Sequence, residues 1–162
     1  LHAVAAALKR ERLSSRIAVH GRSNGGLMAS VAYTQRPDLY DGAMVGVPLA
    51  DMRRYHLLLA GASWMGEYGN PETSDWDFIR RYSPYQNIRK DARYPRVFFY
   101  TSTKDDRVHP GHARKMAAEM EAQGHPIYYY ENLDGGHAGV ANLRENAYRA
   151  ALFLAYLDRE LR

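Results

Sequence analysis

The chain has 162 residues, of which 46% are hydrophobic, 25% charged and 12% aromatic, the profile of one globular domain rather than a disordered or collagenous chain. No apolar run approaches the roughly 20 residues of a bilayer span, and the absence of cysteine excludes disulfides, thiolate metal sites and a thiol nucleophile. The net charge of +4 is spread over 22 basic and 18 acidic residues that interleave along the chain, so neither a nucleic-acid nor a membrane partner is expected.

Residues 1–12 read as an amphipathic helix, and a chain that opens with Leu1 inside a helix is expected to be part of something longer. Ile17 to His20 form a short apolar strand ended by Gly21. Gly25-Gly26 leads into a helix over 27–35 that stops before Pro37. A second strand covers 43–47. Residues 49–90 are irregular and aromatic, with short helices expected around 52–59 and 76–82. A third strand covers 97–101. Pro110 opens a helix with Ala113, Met116, Ala117 and Met120 on one face, and Gly124 stops it. The fourth strand is 127–130, and the last helix, 143–161, is expected to bury Leu143, Ala147, Ala150, Ala151 and Leu154. Strands alternating with helices in this way predict an α/β fold with a parallel sheet.

Gly21-Arg22-Ser23-Asn24-Gly25 matches G-x-S-x-G, and it lies where that pattern has a physical meaning, between a strand and a helix. A serine on so tight a turn is held with its hydroxyl above the sheet. Glycines two before and two after are expected to let chain segments pass closely. The helix N-terminus and the N–H of Asn24 would face a developing oxyanion. A serine nucleophile needs a base, and the base an orienting acid. Asp105-Asp106 follows the third strand, and His137, among Gly135, Gly136 and Gly139, follows the fourth. All three fall at the same edge of a parallel sheet in the order Ser, Asp, His; spacing alone allows either aspartate as the acid. Of the remaining histidines, His20 is expected at a strand end, His2 and His125 at the surface, and His56 in a helix. His109 and His112 are three apart, but no carboxylate cluster completes a metal site. Neither a metal nor a cofactor is expected.

Together, Gly21-Arg22-Ser23-Asn24-Gly25-Gly26, Asp105-Asp106-Arg107-Val108 with Pro110, Gly135-Gly136-His137 and Tyr82-Ser83-Pro84-Tyr85 with Asn87 resemble the prolyl oligopeptidase family of serine peptidases. The resemblance implies an α/β-hydrolase fold, residues 1–162 being the C-terminal half of its mostly parallel sheet with flanking helices. The N-terminal half of the sheet, which supplies a further oxyanion tyrosine, and the family's propeller are expected to be absent from this chain. It implies Ser23 as nucleophile, Asp105 as acid, His137 as base and Asn24 as a backbone oxyanion donor. It further implies Arg107 on a substrate carbonyl, Trp64 stacked on a substrate proline, and Tyr68, Val47 and Val108 lining that pocket.

The expected reaction is hydrolysis of short peptides after proline through an acyl-enzyme. An esterase or differently specific peptidase with the same three residues is the alternative, and an inactive fragment or assembly module is the alternative of another class. Replacing Trp64 by Ala separates the first two, because only prolyl specificity depends on that ring. An unpaired edge on the first strand would favour self-association. The compartment stays undecided, with the cytoplasm slightly favoured over the periplasm or secretion.

Overall fold

The structure is a computed structural model, and it describes residues 1–138 and 142–162; Gly139 of the glycine-rich histidine segment lies outside the described residues. Four strands, β1 (Ala18–Arg22), β2 (Gly42–Gly46), β3 (Val97–Ser102) and β4 (Ile127–Asn132), pair side by side in chain order, all parallel. A parallel sheet wound in one direction with right-handed crossovers places its connecting helices on a single face. α1 (His2–Arg10), α2 (Asn24–Gln35) and α5 (Gly111–Ala122) accordingly share one core with that face. Ala5, Ala29, Ala32, Tyr33, Met116, Ala117 and Met120 meet Val19, Ala43, Val45, Val97 and Phe99 there. The alternate strand residues Met44, Phe98, Tyr100, Tyr128 and Tyr130 point to the other face, against α6 (Leu143–Leu161).

The central strands β2 and β3 are buried along their whole length, whereas β1 is only partly covered. β1 also runs further than expected. Gly21 does not end it, because Gly21 and Arg22 remain in register with Val45 and Gly46. The ladder therefore carries the chain directly into Ser23, and α2 begins at Asn24 rather than Leu27. Between β2 and β3 the chain makes short turns at Tyr55–Leu57 and Leu59–Trp64, then α3 (Met65–Tyr68) and α4 (Trp76–Ile79).

α6 has the expected bounds but the opposite inward face. Leu143 and Leu154 are 86% and 68% exposed, and Ala147, Ala150 and Ala151 are exposed too. Leu152, Phe153, Tyr156 and Leu157 pack on the sheet instead. Apolar residues occur around both sides of this helix, so periodicity alone leaves the choice open. The aromatic side buries more area per residue than the alanine side. His125, expected at the surface, is also buried, with its Nε2 3.0 Å from the Arg89 carbonyl and its ring edge-on to Tyr94.

Tyr156 ties α6 to the sheet. Its hydroxyl accepts from the Ala43 N–H at 2.7 Å and donates to the Arg96 carbonyl. Burial pushes its pKa up, so it stays a neutral donor. Tyr156→Phe strands both backbone groups and should cost about 2 kcal/mol in urea unfolding; a loss under about 0.5 kcal/mol would contradict this role.

Candidate active site

Ser23 occupies the N-cap of α2, yet its hydroxyl does not cap the helix. Its backbone has φ 57° and ψ −124°, a conformation that costs a non-glycine residue about 1–3 kcal/mol and persists only where its surroundings impose it. Here the Ser23 N–H donates to the Gly46 carbonyl at 2.9 Å and its carbonyl accepts from Leu27 N–H at 3.1 Å. The freed hydroxyl lies 3.1 Å from His137 Nε2.

The glycine logic of the elbow differs from the sequence expectation. A Cβ on Gly21 would lie 1.9 Å from the Gly25 carbonyl oxygen, and one on Gly26 would lie 2.8 Å from the Gly46 carbonyl oxygen and 2.9 Å from Pro48 Cα. Gly25 itself has nothing within 4 Å of that position. The close approaches are made at Gly21 and Gly26; Gly25 contributes its backbone to the first of them.

His137 Nδ1 lies 2.9 and 3.1 Å from the two carboxylate oxygens of Asp105. With the Nδ1 proton directed to that carboxylate, Nε2 is left to accept from the Ser23 hydroxyl. Asp105 is buried, and its Oδ1 also accepts from the Arg107 and Val108 N–H groups at 2.9 and 2.8 Å. Asp106 is exposed and, among the described residues, accepts only from the His137 N–H, at 3.5 Å. Geometry therefore separates two aspartates that spacing left equal.

Around these residues, Asn24 stands exposed at the first position of α2, where helix N–H groups have no intrahelical partner. Its side-chain oxygen accepts from the Tyr68 hydroxyl at 2.8 Å. Burial raises the Tyr68 pKa to about 12, so it remains a donor at neutral pH. Trp64 is half-buried against the cluster of Leu27, Leu49, Met52, Tyr55, Ile79 and Val108. The exposed Arg107 guanidinium stands 6.0 Å from the Trp64 ring centroid. Val108 is 1% exposed and lies under the site rather than on its surface. Val47 is buried too, with φ 37°, and borders a small cavity beside His137 together with Tyr100, Asn132 and Gly136.

A polar cluster that sequence reasoning missed supports this region. Asp51 is 1% exposed and accepts from Gln86 at 2.6 Å and from Lys115. Burial pushes its pKa up, but the bonds from Lys115 and Gln86 outweigh burial and leave it below the ordinary value. Ser83 accepts from the Met52 N–H at 3.0 Å and donates to Gln86. Asn87 donates to the Arg80 and Ser83 carbonyls, both at 2.7 Å. His112 Nδ1 accepts from the Ala50 and Asp51 N–H groups at 3.3 and 3.1 Å, while His109 Nδ1 accepts from the Gly111 N–H at 2.9 Å. The Tyr82-Ser83-Pro84-Tyr85 segment with Asn87 was the visible signal, though nothing in it named Asp51 as partner. Of the other histidines, His20 lies inside β1 with Nε2 3.0 Å from the Tyr100 hydroxyl, His2 Nε2 is 3.1 Å from the Ala32 carbonyl, and His56 is in a 3-10 turn.

Gly25→Ala should leave the unfolding free energy within about 0.5 kcal/mol of the parent or raise it, whereas Gly26→Ala should destabilise by about 2 kcal/mol or more; equal effects in chemical denaturation would contradict the assignment. A second prediction concerns His112, whose pKa burial lowers from 6.5 to about 4. Between those values the unfolded chain binds more protons than the folded one, so stability present above pH 6.5 is lost as pH falls toward 4. The loss amounts to about 3 kcal/mol. His112→Gln should flatten that slope in urea titrations at stepped pH, and an unchanged slope would overturn the assignment.

The profile of the prolyl oligopeptidase family matches residues 1–162. The uncharacterized peptidase y4nA of Sinorhizobium fredii is 49% identical over 154 residues, which cover 94% of this chain and 21% of that protein. A prolyl endopeptidase of Elizabethkingia miricola is 39% identical over 150 residues, 90% of this chain and 21% of the relative. A structure solved in a study of two prolyl endopeptidases superposes with a TM-score of 0.93 at 36% identity, over 99% of this chain and 24% of the other. The chain thus spans about a fifth of the length of the curated relatives it matches. Its parallel sheet and flanking helices are those of the α/β-hydrolase domain in that solved structure. By a match that runs its whole length, the chain belongs to the prolyl oligopeptidase family.

Proposed function

We propose that this chain carries the nucleophile, base and acid of a serine peptidase that cleaves short peptides on the carboxyl side of proline. The observation that carries the reading is the unbroken relay from Ser23 Oγ to His137 Nε2 at 3.1 Å and from His137 Nδ1 to Asp105 at 2.9 Å. In the proposed reaction Ser23 Oγ attacks the substrate carbonyl carbon while His137 Nε2 takes its proton. Asp105 holds the imidazole tautomer and stabilises the imidazolium. His137 then returns the proton to the leaving amine, and water repeats the sequence to release the acid and free Ser23. The Asn24 N–H supplies one donor to the oxyanion, a contribution of about 100- to 1000-fold where such donors have been removed.

The preference for proline rests on the family relatives named as prolyl endopeptidases and on Trp64. A flat indole half-supported by a packed cluster offers a rigid face to a proline ring. Arg107 stands beside that ring, which suits a guanidinium donating to a substrate carbonyl next to the proline.

The test is labelling by a fluorophosphonate probe read by intact mass. One equivalent should add to the parent and none to Ser23→Ala. Asp105→Asn should slow labelling by about 1000-fold or more, as loss of a triad acid does, and Asp106→Asn by no more than about threefold, as befits an exposed charge. Labelling that survives in Ser23→Ala, or equal effects at the two aspartates, would sink the assignment. With activity established, Trp64→Ala should lower turnover of proline peptides far more than that of activated esters; parallel losses would favour a differently specific hydrolase.

A further inference from the structure

Within the elbow, Arg22 has no part in the chemistry above. It is the last residue of β1, one position before Ser23, and its Nη2 donates to the backbone carbonyl of His137. The segment it holds needs an anchor. Gly135 and Gly136 precede His137, and two consecutive glycines leave the backbone wide conformational freedom. Asn132 Oδ1 ties down the start of the turn, accepting from the Asp134 and Gly135 N–H groups at 2.9 and 2.5 Å. Lys104 pairs with Asp134 at 2.9 Å, but both are exposed, and such a pair holds little. Among the described residues, the backbone contacts at His137 itself are Asp106 on the N–H, at a long 3.5 Å, and Arg22 on the carbonyl.

We propose that Arg22 is a positioning residue for His137. The inference rests on the reading of His137 as the base for Ser23. Because Arg22 and Ser23 are consecutive, the clamp locates the imidazole relative to the nucleophile itself and not merely to the end of β4. A guanidinium is well fitted to such a clamp, because it is always charged, its donors are held in a rigid plane, and a charge-assisted bond to a carbonyl is stronger than a neutral one. Arg22 also borders the small cavity beside His137 with Tyr100, Asn132 and Arg149, so its side chain bridges the end of the sheet and the histidine loop.

Misplacing a catalytic group by about 1 Å can cost about 100-fold, and Arg22→Met should slow fluorophosphonate labelling of Ser23 by about 10- to 100-fold. Its unfolding free energy should stay within about 0.5 kcal/mol of the parent, since Arg22 is a surface side chain. Arg22→Lys, which keeps a charged donor, should recover part of the rate. A second readout does not need turnover: the downfield proton resonance of His137 Nδ1–H bonded to Asp105. It should broaden or vanish in Arg22→Met and persist in Arg22→Lys. An unchanged resonance in Arg22→Met, or a labelling rate equal to the parent, would overturn the clamp. Failure of the parent itself to label would count against the hydrolase reading, while the resonance comparison would still decide the clamp.

Discussion

The parallel alignment of four strands in chain order is the constraint on which everything else in this molecule depends. Strands that run the same way end at the same edge of the sheet, so whatever follows each strand is delivered to one place. Ser23 comes one residue after β1, Asp105 three after β3, and His137 five after β4. The intervening strand, β2, contributes the Gly46 carbonyl that holds the Ser23 N–H and, just beyond it, the left-handed Val47 beside His137. Residues 114 positions apart thus meet at hydrogen-bond distance, because parallel pairing brings the ends of their strands to one edge.

At that edge, local strain and local packing balance each other. A serine with positive φ is unfavourable on its own, and the elbow holds it by two backbone bonds and by close approaches at Gly21 and Gly26 that no side chain would permit. The hydroxyl is consequently withheld from the capping role that an N-terminal serine ordinarily takes. Asp105 shows the complementary strategy. Its carboxylate is buried, and that burial is offset by two backbone N–H donors and the histidine, as a buried charge requires.

The irregular chain between β2 and β3, which carries Trp64 and Tyr68, has little regular structure of its own. It is held from two sides. Apolar packing of Met52, Tyr55, Ile79, Trp64 and Tyr68 on Leu27 and Val108 joins it to α2 and to the segment after Asp105. The Asp51 cluster joins it to α5 through Lys115 and His112. The first attachment ends on α2, which Ser23 opens, and on Val108, whose N–H donates to Asp105; the second fixes the same segment to the helix packed on β3 and β4.

The sequence alone determined the alternation of strands and helices, the elbow at Ser23, and the order Ser, Asp, His at strand ends, because hydrophobic period and glycine placement act locally. It determined the inward face of α5, where Ala113, Met116, Ala117 and Met120 offer one apolar stripe. Only the tertiary structure showed that Asp105, and not Asp106, is buried against the Arg107 and Val108 amides and within reach of His137 Nδ1. Only it chose the aromatic face of α6 over the alanine face, showed that Gly26 rather than Gly25 makes the close approach, and revealed what Asp51, His112 and Arg22 hold. Each of those outcomes depends on atoms brought together from distant parts of the chain. Periodicity records how a segment meets a surface, and it carries no record of which distant atoms that surface presents.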